Sequence, residues 1–324
     1  MEWPQWMTEY YRDNMEEMIR TSLEKFGVPA EIHKEKVIAG GKEAEFYQCV
    51  CGEEKIFFDG IFFEDVKRIS EDIEEVETDE IIDSLCEGIA DQYHYAEANY
   101  EKLFDKSITQ YLFPVLMNTG LHRCLLSEMP HEDRGEISVA LHLGIPAGGE
   151  SGYDISVTNS MLESWGMTFQ EALKQALHNS WFIKQCNVFS NADILRMVNQ
   201  QIDKEWCGLF QIPEEDTQKA YNIYGKYIQA EAVLLCPDFV DMIHEKMEGD
   251  FLVAFMGANE VQIFQEQEDL EDLKFEIEFA NERHGFFGYI SDQIYNCSKE
   301  RGLEPFTDPD KAKLRNDSIS TLQR

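Results

Sequence analysis

Three pairs of short runs, each pair joined by a glycine-bearing loop, constrain the fold of this chain more than any other feature. EIHKEKVI and AEFYQCVC flank AGGK, EISVALHLG and YDISVTN flank IPAGGESG, and FLVAFMG and NEVQIFQ are separated by Ala258 alone. Strands joined so closely must run antiparallel, because parallel neighbours need a crossover of about a dozen residues or more. In the central pair Ile137, Val139, Leu141 and Leu143 alternate on one run and Tyr153, Ile155 and Val157 on the other, which gives each strand one apolar face.

Helical periods fill the gaps between these hairpins. Trp6, Tyr10, Met15, Met18, Ile19, Leu23 and Phe26 recur at helical spacing until Gly27-Val28-Pro29 stops the run. KIFF reads as a further short strand, and a long polar-aromatic helix is expected to end near Asp105. SITQYLFPVLMN reads as a strand with Pro114 at an edge or bulge, since proline in a helix interior costs roughly 3 kcal/mol. SMLESW is a short helix stopped by Gly166, and Thr168-x-x-Glu171 is a capping box opening the next. NIYGKYIQ and EAVLL read as strands, PDFVDMIHEKM as a helix, and EDLEDLKFEIEFANER as a closing helix. This order predicts an α+β fold, a mixed and mainly antiparallel sheet with packed helices, and excludes regular βαβ alternation. The expected divisions are a helix-rich acidic part over 1–105, an α+β domain over 106–297, and a disordered tail over 298–324 that contains TDPDKAKLRNDS.

Charge narrows the function. The 28 Lys and Arg stand against 63 Asp and Glu, a formal net charge of -35. That field repels nucleic acid and anionic membranes and draws cationic protein surfaces over a Debye length of about 8–10 Å. Residues 1–105 hold 28 acids and 10 bases, so the surplus is densest there. Within SEDIEEVETDEIIDSLCEGIA, Glu71, Asp72, Glu74, Glu75, Glu77, Asp79, Glu80 and Asp83 follow one another with no intervening base. The apolar stripes Val66, Ile69, Ile73, Val76 and Ile81, Ile82, Leu85, Ile89 do not share one phase. They predict two helical pieces hinged near Glu77, with Thr78 as N-cap and Asp79 and Glu80 in a first turn where the helix dipole favours anions.

The eight cysteines are scattered, mostly in apolar contexts, as befits reduced core thiols in a cytoplasmic protein. The first residues lack a basic, then apolar, secretory leader, and no apolar run approaches the roughly 18–20 residues a membrane span needs. Cys49 and Cys51 fall on one strand face and are the two weak candidates for metal ligands. His33, Cys86 or His94 would have to complete such a site from elsewhere. His131-Glu132 and His244-Glu245 lack the second histidine of a metallopeptidase helix, Ser151 lacks a nucleophile-elbow frame, and Gly40-Gly41-Lys42 lacks the upstream glycine of a phosphate loop. Trp165 and Trp181 flank the capped helix and read as packing residues. The residues identify no catalytic group and no cofactor.

The run from KSITQYLFPVLMN through SEMPHEDRGEISVAL to ISVTNSMLESWGMTFQEALKQALHNS carries Met129-Pro130-His131 before an apolar strand, Thr158-Asn159 at the end of another, and Trp165-Gly166. With AVLLCPDFVDMIHEKMEGDFLVAF and NEVQIF, it resembles a bacterial family known only as a domain of unknown function, the one numbered 5688, found among clostridial gut anaerobes. The resemblance covers roughly residues 30–285 and implies no activity or cofactor. The chain departs from it at Met256-Gly257-Ala258-Asn259-Glu260, where the family favours a more polar turn and only the Glu is kept.

Three functions follow in order. The first is a non-enzymatic cytoplasmic interaction or regulatory module whose acids bind a basic protein surface, with no direct nucleic acid, no membrane and no small-molecule substrate. The second is a nucleic-acid mimic inhibiting a DNA- or RNA-binding defence protein, of anti-restriction or anti-CRISPR type. It would need Asp72, Glu75, Asp79 and Asp83 in a row on an unbroken helix. The third is a hydrolase or metal enzyme with dispersed ligands.

Overall fold

Across Gly40-Gly41, strand β1 (Ala30–Ala39) pairs antiparallel with β2 (Lys42–Cys51) and brings Ala39 opposite Lys42 in the computed structural model. The structure describes residues 2–39, 41–51, 56–73, 76–148, 151–179, 186–190, 193–194, 196, 220–225, 230–257, 260–265, 270–286 and 288–306. Strand β3 (Ile56–Phe62) completes this first sheet beside β2. Gly60 permits the close pairing, since a Cβ there would lie 2.4 Å from the Phe46 ring and the Tyr47 carbonyl. The sheet has two unlike faces, because neighbouring residues on a strand point oppositely. Tyr47, Cys49 and Cys51 face the helices α1 (Gln5–Lys25), α2 (Phe63–Asp72) and α3 (Thr78–Ala98), burying Met15, Ile19, Leu23, Val66, Ile82 and Cys86 with them. Gln48 and Val50 point the other way.

After the short α4 (Tyr100–Leu103), the SITQY segment departs from its expected strand. Lys106–Tyr111 is a 3-10 turn because Asp105 accepts the Ser107 N–H at 2.8 Å and caps it, and the strand β4 is confined to Leu112–Asn118. Pro114 lies on a sheet edge, where its missing N–H costs no ladder bond. β4 pairs with β6 (Ile137–Gly148), whose other edge is shared by β5 (Glu132–Arg134) and β7 (Ser151–Ser156). α5 (Arg123–Glu128) precedes β5, and α6 (Asn159–Trp165) and α7 (Phe169–His178) follow β7. Gly166 ends α6 in the left-handed conformation at φ 62°, and the capping box of Thr168 and Glu171 forms with both reciprocal bonds.

The third sheet is six-stranded and antiparallel in the order β13-β12-β10-β11-β9-β8, from β8 (Cys186–Ser190), β9 (Ala220–Gly225), β10 (Phe251–Phe255), β11 (Glu260–Phe264), β12 (Tyr295–Ser298) and β13 (Gly302–Pro305). EAVLL, expected as a strand, is a buried 3-10 turn within Ala230–Leu235, since a short apolar run without alternation fits either structure. α8 (Pro237–Met247) and α9 (Leu270–His284) form as expected. The chain also keeps its order beyond Ser298, as β13 pairs with β12. TDPDKAKLRNDS lies outside the described residues. The fold is α+β, and no helix among the described residues is long and apolar enough to cross a membrane.

One large core joins the second and third sheets to α6, α7 and α8. A smaller cluster, with Phe46 and Phe62 on one side and Leu121 and Tyr289 on the other, joins sequence from both sides of residue 105.

Candidate functional site

The acid-rich segment divides where the apolar stripes change phase. α2 ends at Asp72 and α3 begins at Thr78, so Asp79 and Asp83 share one helix face, four residues apart, that Asp72 does not extend. Glu77, rather than Thr78, occupies the N-cap position. Thr78 is buried, and its hydroxyl accepts a hydrogen bond from Ser70 at 3.1 Å, which draws its side chain away from the capping role. Glu74 and Glu75 lie outside the described residues.

The acids then separate by what they touch. Glu71 accepts the Trp3 N–H at 2.7 Å and pairs with Lys67 at 3.4 Å, pinning the start of the chain to α2. Asp72 stands 3.8 Å from Arg68. Asp83 accepts the Ser22 hydroxyl at 2.6 Å and pairs with Lys25 at 3.0 Å, so α3 is latched to α1. The Ser22 hydrogen bond and then the Lys25 ammonium hold the Asp83 carboxyl below the usual carboxylate range. Glu77, Asp79 and Glu80 are exposed.

A groove of about 270 Å³ runs between α1 and α3. Met18 and Ile82 form its apolar part, Glu17, Asp79 and Asp83 supply carboxylates, and Lys25, paired with Asp83, also lines it. Tyr10 lines one end and is 51% exposed, and Trp6, one turn earlier on α1, is 69% exposed. Two large aromatics left in water beside carboxylates suit a partner that offers cations and apolar carbon together. The contribution of α1 was missed from sequence, although Tyr10, Asn14, Glu17, Met18 and Thr21 recur at the helical period that would have placed them on one face.

Cys49 and Cys51 do share a face, and the fold brings Cys86 near them, but that face is the core. All three thiols are fully buried, and burial pushes Cys51 up to about 12 and Cys86 to about 11, with Cys49 also raised well above its ordinary value. Such thiols stay protonated and unreactive. No group of three potential ligands placed to hold a metal occurs among the described residues. The candidate histidines have local roles: His94 meets the Phe26 carbonyl at 2.8 Å, His131 the Met129 carbonyl at 2.9 Å, and His244 lies 3.3 Å from Asp250. Trp165 is buried and donates to the Leu103 carbonyl at 3.0 Å, and Trp181 lies outside the described residues.

Residues 63–285, from the first residue of α2 to the glycine after α9, match the model of a family of unknown function (DUF5688). No curated protein and no solved structure matches the chain.

Proposed function

The chain belongs to DUF5688, a family of unknown function, and from that premise we propose that it is a cytoplasmic protein-interaction or regulatory module that binds a basic partner segment along α1 and α3. The observation that carries this reading is the α1–α3 groove, where Glu17, Asp79 and Asp83 flank Met18 and Ile82 beside exposed Tyr10 and Trp6. A segment bearing Lys or Arg with an apolar side chain between them complements both components. Glu77 and Glu80 extend the same field outside the groove, and Asp72 and Glu71 lie on the adjoining helix. The interrupted helix favours this reading over nucleic-acid mimicry, since mimicry of a duplex asks for about one charge per 1.7 Å along an unbroken line.

The test is fluorescence anisotropy with the full chain and a labelled peptide of alternating lysine and leucine. Binding should weaken at least tenfold between 50 and 500 mM KCl, and the pair Glu17→Gln and Asp79→Asn should weaken it several-fold at low salt. An acidic peptide of the same leucine content and a DNA duplex should both fail to bind. Affinity that ignores salt, or that survives the double substitution unchanged, overturns the proposal.

A further inference from the structure

A second cleft, of about 800 Å³, opens between the outer face of the first sheet and the start of α6. Ser156 forms part of its wall. Behind that serine the β6–β7 hairpin assembles three polar side chains, because register puts His142 directly opposite Ser156 and Asp154 lies two residues away on the same strand face. His142 Nδ1 meets Asp154 Oδ1 at 2.6 Å, and His142 Nε2 lies 3.4 Å from Ser156 Oγ. With the Nδ1 proton donated to the carboxylate, the Nε2 lone pair faces the hydroxyl. The imidazole is buried, and it and the Phe113 ring meet in a T-shaped arrangement with the ring centroids 6.0 Å apart.

A buried histidine held by polar neighbours needs no function. Two observations set this one apart. Its serine partner opens onto a cleft, and across that cleft Gln48 is only 3% exposed while its carboxamide nitrogen has no hydrogen-bond partner among the described residues. A buried donor left without an acceptor is unfavourable, and it is a ready partner for an oxygen arriving in the cleft.

We propose that this cleft is an acyl-transfer site that hydrolyses carboxylic esters, with Ser156 as nucleophile, His142 as general base and acid, Asp154 as the positioning residue, and Gln48 as a donor to the oxyanion. The Ser156 oxygen attacks the ester carbonyl carbon as its proton passes to His142 Nε2. The carbonyl oxygen, now anionic, accepts the Gln48 N–H. The intermediate collapses by breaking the carbon–oxygen bond to the leaving alkoxide, which takes the proton from His142. Water then adds to the acyl-serine, giving its proton to the same nitrogen, and the proton returns to Ser156 as the acid departs. One ester and one water become one acid and one alcohol, and no oxidant, reductant or metal is consumed. The 3.4 Å spacing is the looser separation common before substrate binds. Val50, Leu103, Phe104 and Met161 offer an apolar wall for the acyl chain, while Glu31 and Glu163 make the cleft unfavourable to anionic esters. This site uses residues far apart in sequence and is separate from the α1–α3 groove.

The full chain is tested with p-nitrophenyl butyrate and with a fluorophosphonate probe that labels activated serines. Turnover above the buffer rate is expected, together with a stoichiometric adduct on Ser156 located by peptide mass. Ser156→Ala should lower kcat at least a hundredfold and abolish the adduct. Gln48→Met should lower kcat with KM little changed, and Asp154→Asn should do likewise while slowing labelling. Thermal melting of Ser156→Ala should match the unaltered chain, since among the described residues the hydroxyl carries only a long hydrogen bond. Absence of both turnover and adduct in the unaltered chain overturns the proposal. So does full activity in Ser156→Ala, or an adduct on another serine.

Discussion

Glu231 is an acid at the opposite extreme from those of the groove. It lies fully buried in the 3-10 turn within Ala230–Leu235, with its Oε2 lacking any hydrogen-bond partner among the described residues. Desolvation raises its pKa to about 8, only partly opposed by a hydrogen bond from its own backbone N–H. The folded protein therefore holds this proton more tightly than the unfolded chain does. Between the unfolded value of about 4.5 and about 8, the native state binds more protons, so stability must fall as pH rises and level off above that window. The total is on the order of a few kcal/mol. Urea midpoints at pH 5.5 and 8.5 should show the unaltered chain losing stability relative to Glu231→Gln as pH increases. Parallel pH dependences for the two proteins would mean that the carboxyl ionises in the folded state without penalty.

At the scale of elements, Gly60 shows how one close contact governs a pairing. The Cβ of an alanine there would fall 2.4 Å from backbone and ring atoms of β2, neither of which is the flexible end of a side chain. Gly60→Ala should lower stability by about 1–3 kcal/mol through this overpacking, read as a lower melting temperature with an unchanged far-ultraviolet spectrum. An alanine variant that melts with the original would show that β3 can shift away at no cost. Nothing in the sequence marks Gly60 as a packing contact, because the contact exists only once β3 lies on β2. The elements themselves were legible where local chemistry and tertiary context agree. The Gly40-Gly41 link, the Thr168–Glu171 box and the Gly166 stop each act through neighbours in sequence. EAVLL and SITQY misled because their apolar or β-branched composition was satisfied by short turns packed in place. The sites followed the same rule. Acid density pointed to Asp79 and Asp83, but the α1 half of the groove needed helix pairing. Ser156, His142 and Asp154 were hidden because no sequence motif encodes a cross-strand register, although the hairpin that sets it was expected.

For the molecule as a whole, the surplus of anions acts in two opposite directions. Around α1 to α3 nearly every available base is already engaged by acids: Arg12 with Glu45 and Glu64, Lys25 with Asp83, Lys34 with Glu45, and Lys67 with Glu71. Pairs like these, each with at least one partner partly open to solvent, are worth about 0–1 kcal/mol each, and they leave a net charge of -35 repelling itself. Screening weakens both contributions, but the pairs are few and individually small, whereas the repulsion acts among all the unmatched acids. Added KCl should therefore stabilise the fold. The urea midpoint should rise between 10 and 500 mM KCl with the slope m unchanged, since the surface exposed on unfolding stays the same. Urea rather than guanidinium is needed, because guanidinium chloride would itself screen the charges. Over the same range the proposed basic partner should be lost. An increase in fold stability alongside loss of binding would assign both effects to one surplus of charge. If stability instead fell with salt, the local ion pairs would outweigh the repulsion, and the acids would have to be regarded as locally neutralised rather than as a field directed outward.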